Sequence, residues 1–472
     1  MTAERARLTW IAPALAAGSA LVLMSAPAQY LGRQQDDLLY IVASQSLARG
    51  SYRLSTVVGR PLIPMITPGW PALLLPISWL FPRHLGAYEA FAAALQALVP
   101  WACYAWLRRR EVSVAASLLA ALLCASSPLL LSQAGAVMSE TPFLLAELAL
   151  LAALDSPRRD GKTAGAWLAG LLLLRPAAAA LFPATLAPLR RKARQLAWAA
   201  AMPALALGAW AFLGWLAARG APTEAGKRAF QGRSWLHPFA LGGLDKPLFY
   251  ARALGGAFLP RSWAEAGGAA ALGALLLALA AWGCVKALRR RTDEPAVWAL
   301  GGTAALHLAW GWTYERYWIP MLPLLWWACA TALGRRAAPA LGALLALQLA
   351  FGAPAWVLGT SWRTPELSGT YSWLASNLPP DAALASAAYL RDGYYAGRPS
   401  APLPDADGPA EFARQLAAQR VRYVLWQDGL DIGGAAALED KLARAQASLS
   451  DPRYFTTIHE DDTERARVYL LK

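Results

Sequence analysis

Two adjacent carboxylates, Asp36 and Asp37, follow the first long apolar run of this 472-residue chain, in Gln34-Gln35-Asp36-Asp37-Leu38-Leu39-Tyr40. Ionised groups are costly near hydrocarbon, so an ordinary membrane anchor avoids such a pair. On position alone, a charged first turn of a helix, favoured by the helix dipole, accounts for them equally well. Other acidic residues fall where apolar runs end: Glu140 in Ser139-Glu140-Thr141-Pro142, and Glu315 in Tyr314-Glu315-Arg316-Tyr317. In one cleft, Asp36, Glu140 and Arg316 would supply a base, a second carboxylate and a cation for a phosphate. Taken singly each has a plain explanation. Glu140 serves as a cap residue ahead of Pro142, and Glu315-Arg316 as a surface ion pair worth little.

The elements that must position these groups are helices in a bilayer. The chain is 57% hydrophobic and 16% charged, and apolar runs of about 20 residues recur along it, the length a transmembrane helix needs. The net charge of +14 sits in short basic clusters between those runs, which is the positive-inside pattern rather than a nucleic-acid footprint. Residues up to 358 carry +17 and those from Gly359 onward carry −3. Cys103, Cys124, Cys284 and Cys329 all lie within apolar runs and read as small buried hydrophobes, with no disulfide or zinc pattern. The first apolar run reads as an uncleaved transmembrane helix.

Six basic clusters set the topology: Arg5/Arg7, Arg108–Arg110, Arg158 to Lys162, Arg190 to Arg194, Arg289–Arg291 and Arg335-Arg336. With all six in the cytoplasm, an even number of crossings separates each consecutive pair. Segment 163–189 must then cross twice, broken at Arg175-Pro176, because proline removes a donor and disfavours helix before it. The count is about eleven spans, with the N-terminus inside and the C-terminus outside. Two outer loops are long. Residues 29–85 hold Asp36, Asp37, Arg60 and Thr67-Pro68-Gly69-Trp70-Pro71, and the short apolar stretch 72–81 is expected to lie in the interface. Residues 217–264 carry Lys227, Arg228, Arg233, Lys246, Arg252 and Arg261, a basic set suited to an anionic headgroup or a phosphate. Residues 359–472 read as a small α/β domain outside the membrane, with helices near 371–377, 409–419 and 434–449. Strands are expected within 381–388, 421–426, 454–459 and 465–471. Its charges read as solvated faces.

Together these motifs resemble the integral-membrane glycosyltransferases of the GT-C superfamily, near glycosyltransferase family 39, which includes protein O-mannosyltransferases and aminoarabinose transferases. The resemblance rests on Asp36-Asp37-Leu38-Leu39-Tyr40, Thr67-Pro68-Gly69-Trp70-Pro71, Ser139-Glu140-Thr141-Pro142, Leu174-Arg175-Pro176 and Glu315-Arg316-Tyr317-Trp318-Ile319-Pro320. It implies a catalytic membrane domain over 1–358 and a variable C-terminal domain over 359–472. It also implies transfer from a polyprenyl-phosphate sugar to a glycan, lipid or protein acceptor at the outer face of a bacterial cell membrane. Carried over, Asp36 or Asp37 is the base and Glu140 the second acidic residue. Arg316, with Glu315 and Tyr317 beside it, and Lys227, Arg228 and Arg233 are expected at the phosphate. The lysine that aminoarabinose transferases carry before Pro-Pro is Thr67 before Pro68-Gly69 here, and Leu38-Leu39 stands where they place an arginine shortly after the aspartate, which brings in Arg60 as a substitute. A divalent metal, used by some relatives, stays open. So do two other classes of function, a flippase for lipid-linked saccharides and a non-catalytic surface scaffold.

Overall fold

The computed structural model describes residues 10–26, 31–32, 36–63, 66–156, 160–189, 192–220, 245–310, 313–352, 366–430 and 436–472. Lys227, Arg228 and Arg233, and the expected boundary at 358/359, lie outside the described residues.

Helices α1 (Ile11–Met24), α2 (Asp36–Leu47), α3 (Leu85–Ala97), α4 (Val99–Arg109), α5 (Val114–Ala125), α6 (Glu140–Asp155) and α7 (Gly161–Leu174) come first. After them run α8 (Ala193–Gly220), α9 (Asp245–Gly256), α10 (Ala269–Arg290), α11 (Pro295–Ala309), α12 (Leu322–Leu333) and α13 (Ala337–Leu347). Leucine and alanine dominate them, which favours helix and leaves nearly every surface apolar. Among the described residues, three helices are long and apolar enough to cross a bilayer: Leu85–Arg109, Ala193–Leu216 and Ala269–Arg290. Shorter apolar helices at 11–24, 114–125, 161–174 and 176–189 pack with them. Small residues set the closest approaches. A Cβ on Gly161 or Gly165 would stand 2.0 or 2.6 Å from backbone of Gln195 or Trp198, so α7 and α8 meet backbone to backbone, as small-residue membrane helices do.

Segment 161–189 breaks where the proline requires it. α7 stops at Leu174, and Pro176–Leu181 is a 3-10 turn that leads through Phe182–Leu186 to Leu189. The N–H of Gly161 donates to Gln195 Oε1 at 2.5 Å, so the start of the segment lies beside the start of α8, a few residues past its end, and the chain turns back at Arg175. Far from that turn, Arg110 is buried rather than solvated. It bonds Glu294 at 2.8 Å and Asp155 at 3.4 Å, with Trp106 and Trp327 against its guanidinium. It ties α4, α6 and α11 together.

One expectation about the long loops changes. Part of the second loop is helix: α9 lies along α10, with Gly255 against Ala269 and Gly273. Lys246 donates to the carbonyls of Leu308 and Trp310 at the end of α11, where a cation meets the negative helix terminus. In the first loop, residues 69–80 form two short helices that bury Trp70 and leave Leu73, Trp79 and Leu80 exposed, consistent with an interfacial segment.

The C-terminal unit contains α14 (Ser368–Asn377), β1 (Leu384–Ser386), α15 (Tyr389–Ala396), β2 (Ser400–Pro402), α16 (Pro409–Ala418), β3 (Tyr423–Gln427), α17 (Ala436–Leu449), β4 (Phe455–Asp461) and β5 (Ala466–Leu471). The sheet order is β2-β1-β3-β5-β4, parallel through β2, β1 and β3, and antiparallel beyond. The free edge of β2 is covered by the first loop. Val58 N donates to Ser400 O at 2.8 Å, and Ser400 N donates to Thr56 O at 2.8 Å. An exposed edge strand is thereby closed within the chain.

Candidate active site

α2 begins at Asp36, so both aspartates occupy a first turn whose N–H groups attract negative charge. Successive helical residues point about 100° apart, and this separates their surroundings. Asp37 turns inward and is 2% exposed. Its oxygens accept the N–H of Gly32, both at 3.1 Å, and its Oδ1 accepts the N–H of Leu38 at 2.7 Å. Burial pushes its carboxyl up to about 6, against the pull of those two N–H groups. Asp36 faces the cleft with a side chain 45% exposed. Its carboxyl is raised because the surrounding protein strips bulk water from it, while Arg316 opposes the rise.

Arg316 links the acidic residues. Its Nη2 donates to Asp36 Oδ2 at 3.0 Å, and its Nε stands 3.3 Å from Glu140 Oε1. Arg175 Nη1 reaches the same Glu140 oxygen at 2.8 Å. The Glu140 side chain is 2% exposed, a burial that a carboxylate sustains only with paired cations. Three parts of the sequence hold this geometry. Tyr40 OH and Ser139 Oγ share a hydrogen bond at 2.9 Å, fixing the start of α6 against α2. Trp70 Nε1 donates to Val137 O at 3.2 Å. Gly69 lies on the end of α7, where a Cβ would come within 2.5 Å of the Leu173 carbonyl. The Thr67-Pro68-Gly69-Trp70-Pro71 run therefore seats the turn that carries Arg175.

An apolar cavity of about 210 Å³ adjoins this network, lined by Tyr250, Leu277, Leu308, Tyr317, Trp318 and Met321 among others. Tyr317 belongs to both: its ring takes the Arg175 guanidinium at 5.7 Å and stacks on His307 at 4.8 Å.

Of the residues expected at the site, Asp36, Glu140, Arg316 and Tyr317 come together. Glu315 does not join them. It is exposed and lies outside the ion-pair network, and Arg316 pairs with Asp36 and Glu140 instead of its neighbour. Arg60 also stands apart, exposed at a turn with φ 44°. Arg175 was legible as a helix break and as part of a resembling motif, but not as a partner of Glu140. An arginine just before proline at the end of an apolar run is the signal that marks it. The donor set does not suit a divalent ion, because Arg175 and Arg316 already occupy the carboxylates that would bind one. Among the described residues, no three His, Cys, Asp or Glu side chains group as a metal site.

No protein-family model and no curated protein matches the chain. Among solved structures, it is similar along its whole length to ArnT from Cupriavidus metallidurans. The form bound to undecaprenyl phosphate matches with a TM-score of 0.60 at 14% identity, covering 98% of each chain. The apo form matches at 0.59 and 13% identity, again covering 98% of each. The archaeal oligosaccharyltransferase AglB from Archaeoglobus fulgidus, in complex with an inhibitory peptide and a dolichol-phosphate, matches at 0.54 and 12% identity, covering 99% of this chain and 74% of that one. The chain thus shares the fold of these solved structures along its whole length, with three helices among the described residues long and apolar enough to cross a membrane.

Proposed function

We propose that the protein is a glycosyltransferase moving a sugar from a polyprenyl-phosphate donor to an acceptor hydroxyl or amine at the outer face of the membrane. One observation carries this reading. A half-buried carboxylate, Asp36, shares Arg316 with a buried carboxylate, Glu140, and the network adjoins an apolar cavity through Tyr317. The full-length likeness to a structure holding undecaprenyl phosphate supports a lipid-phosphate occupant.

In the proposed reaction, Asp36 takes the proton of the acceptor group as its oxygen or nitrogen bonds to the anomeric carbon. The bond from that carbon to the phosphate oxygen breaks, and its electron pair leaves with the lipid phosphate. Arg316 and Arg175 receive the phosphate charge in a site shielded from water, where fixed cations act strongly. A single displacement inverts the anomeric centre. An arriving phosphate competes with Asp36 for Arg316. Freed from its cation, Asp36 becomes the stronger base at the moment the donor is in place.

In this reading a membrane unit covers 1–358, and a C-terminal unit over 359–472 lies on the outer side of a bacterial cell membrane. The N-terminus is cytoplasmic and the spans number about eleven. The return of segment 161–189 at Arg175 supports an even number of passes there.

The test uses protein purified in nanodiscs. Native mass spectrometry with undecaprenyl phosphate is expected to show binding by the wild type and a loss of at least about tenfold for Arg316→Ala, as for a charge-assisted contact. Tritiated undecaprenyl-phosphate sugars, incubated with a membrane extract as acceptor source, are expected to lose sugar to the extract only with active protein. Binding without any transfer, together with flux of the lipid across the bilayer, would establish a flippase instead. Absence of both would leave a scaffold.

A further inference from the structure

The corner that carries the two aspartates is held from behind by the C-terminal unit. Gly32, whose N–H donates to both Asp37 oxygens, has φ 96° and no room for a side chain. A Cβ there would stand 2.6 Å from Cγ and 2.7 Å from Cβ of Arg391. The aliphatic stem of Arg391 therefore lies directly on Gly32. The guanidinium at its other end is fixed within the C-terminal unit: Nε donates to Asp392 Oδ1 at 2.8 Å and Nη2 to Gln427 Oε1 at 2.9 Å. Asp392 Oδ1 also accepts the Tyr371 hydroxyl at 2.7 Å. Arg391 and Asp392 are 1% and 2% exposed, contrary to the expectation that charges of this unit form solvated faces.

A buried ion pair is a poor source of stability, since an apolar residue of equal volume usually does as well. What the pair provides is direction. A planar fork gripped on two sides allows the stem one path, and that path ends on Gly32. Leu390 lies in the same apolar cluster as Leu31 and Leu38, so packing supports the contact on both sides.

We propose that Arg391 is a positioning residue for the Asp36–Asp37 corner. Acting through Gly32 and without touching substrate, it keeps Asp37 buried as the brace of the turn from which Asp36 faces the cleft. Any effect on turnover rests on the proposed role of Asp36. The placement of Asp37 does not, so it is read without substrate.

The experiment is carboxyl footprinting of the purified full-length protein with a water-soluble carbodiimide and glycine ethyl ester, read residue by residue by tandem mass spectrometry. Asp405, with a side chain 68% exposed, is the internal reference. Arg391→Ala is expected to raise labelling of Asp37 at least about tenfold relative to Asp405, as a local opening does. Arg391→Lys keeps the stem and is expected to stay within about threefold of wild type by the same measure. Gln427→Leu removes one of the fork's two grips while leaving stem and glycine in place, so it serves if Arg391→Ala does not fold, and an intermediate rise is expected. Wild-type labelling of Asp37 in a folded Arg391→Ala or Gln427→Leu protein overturns the proposal. Equal rises in Arg391→Ala and Arg391→Lys would also overturn it, because the stem would then not be the agent.

Discussion

Asp36 and Asp37 are identical side chains given different work by one step of a helix. Asp36 faces Arg316 and the cleft, and Asp37 is buried against backbone N–H groups. Asp36→Asn is expected to lower transfer by at least about a hundredfold, the scale of a lost general base, with donor affinity undiminished because the phosphate no longer competes with Asp36 for Arg316. Asp37→Asn is expected to cost less, and an assay that reverses the order exchanges the two roles. Asp37 also leaves a pH signature. Its carboxyl is raised from 3.8 to about 6, so the native state holds the proton more tightly than the unfolded chain. Its stabilising effect is full below about pH 4, falls away as pH rises to about 6 and stays lost above that. Melting temperatures of wild type and Asp37→Asn between pH 4 and 7 should diverge in that window, and parallel curves would remove Asp37 as the titrating group. Asp36, Glu140 and Arg316 were legible in sequence because charged residues beside apolar runs are conspicuous. Which aspartate faces the cleft was not, since spacing puts Tyr40 on a face with either.

Among the elements, the broken pass at Arg175 matters most. It converts one apolar segment into two and delivers a guanidinium to Glu140. Sequence showed the break through Pro176, but the arginine's partner lies 35 positions away on another helix and was hidden. Arg175→Leu leaves buried Glu140 with Arg316 as its remaining cation in this network. A loss of at least about tenfold in undecaprenyl phosphate binding is expected, because Arg316 is then drawn from the phosphate to the carboxylate. Binding unchanged in a folded variant would restrict the phosphate to Arg316. The topology has its own check in intact cells. A membrane-impermeant thiol reagent should reach Ser262→Cys and Asp381→Cys directly, but Lys162→Cys only after permeabilisation; all three positions are exposed. Direct labelling at Lys162 would mean that segment 163–189 crosses once. In the C-terminal unit, β3, β4 and β5 were readable from alternation, whereas α15 and β2 were not. Tyr389-Leu390-Arg391-Asp392 has no clean apolar period, because its charged pair is buried. β2 has only three residues and ends in proline.

At the scale of the molecule, the C-terminal unit is fastened to the first loop along its sheet edge and through α15. Gln45 Nε2 reaches Tyr394 OH at 3.2 Å, and Ser400 Oγ donates to Thr56 O at 2.9 Å. Val58→Pro removes the N–H that pairs with Ser400. It should loosen the fastening, read as protease cleavage of the C-terminal unit at least about tenfold faster than in wild type. Cleavage at the wild-type rate would mean that the edge contact contributes little. The fastening also has a consequence for the order of events during synthesis. Thr56 and its partner Ser400 are 344 residues apart, and chains are made at about 5–20 residues per second. For roughly 20 to 70 seconds, the loop that bears Asp36 sits at the membrane surface with its pairing groups open. The corner is therefore expected to be complete only after residues 391–400 have been made, long after the loop itself.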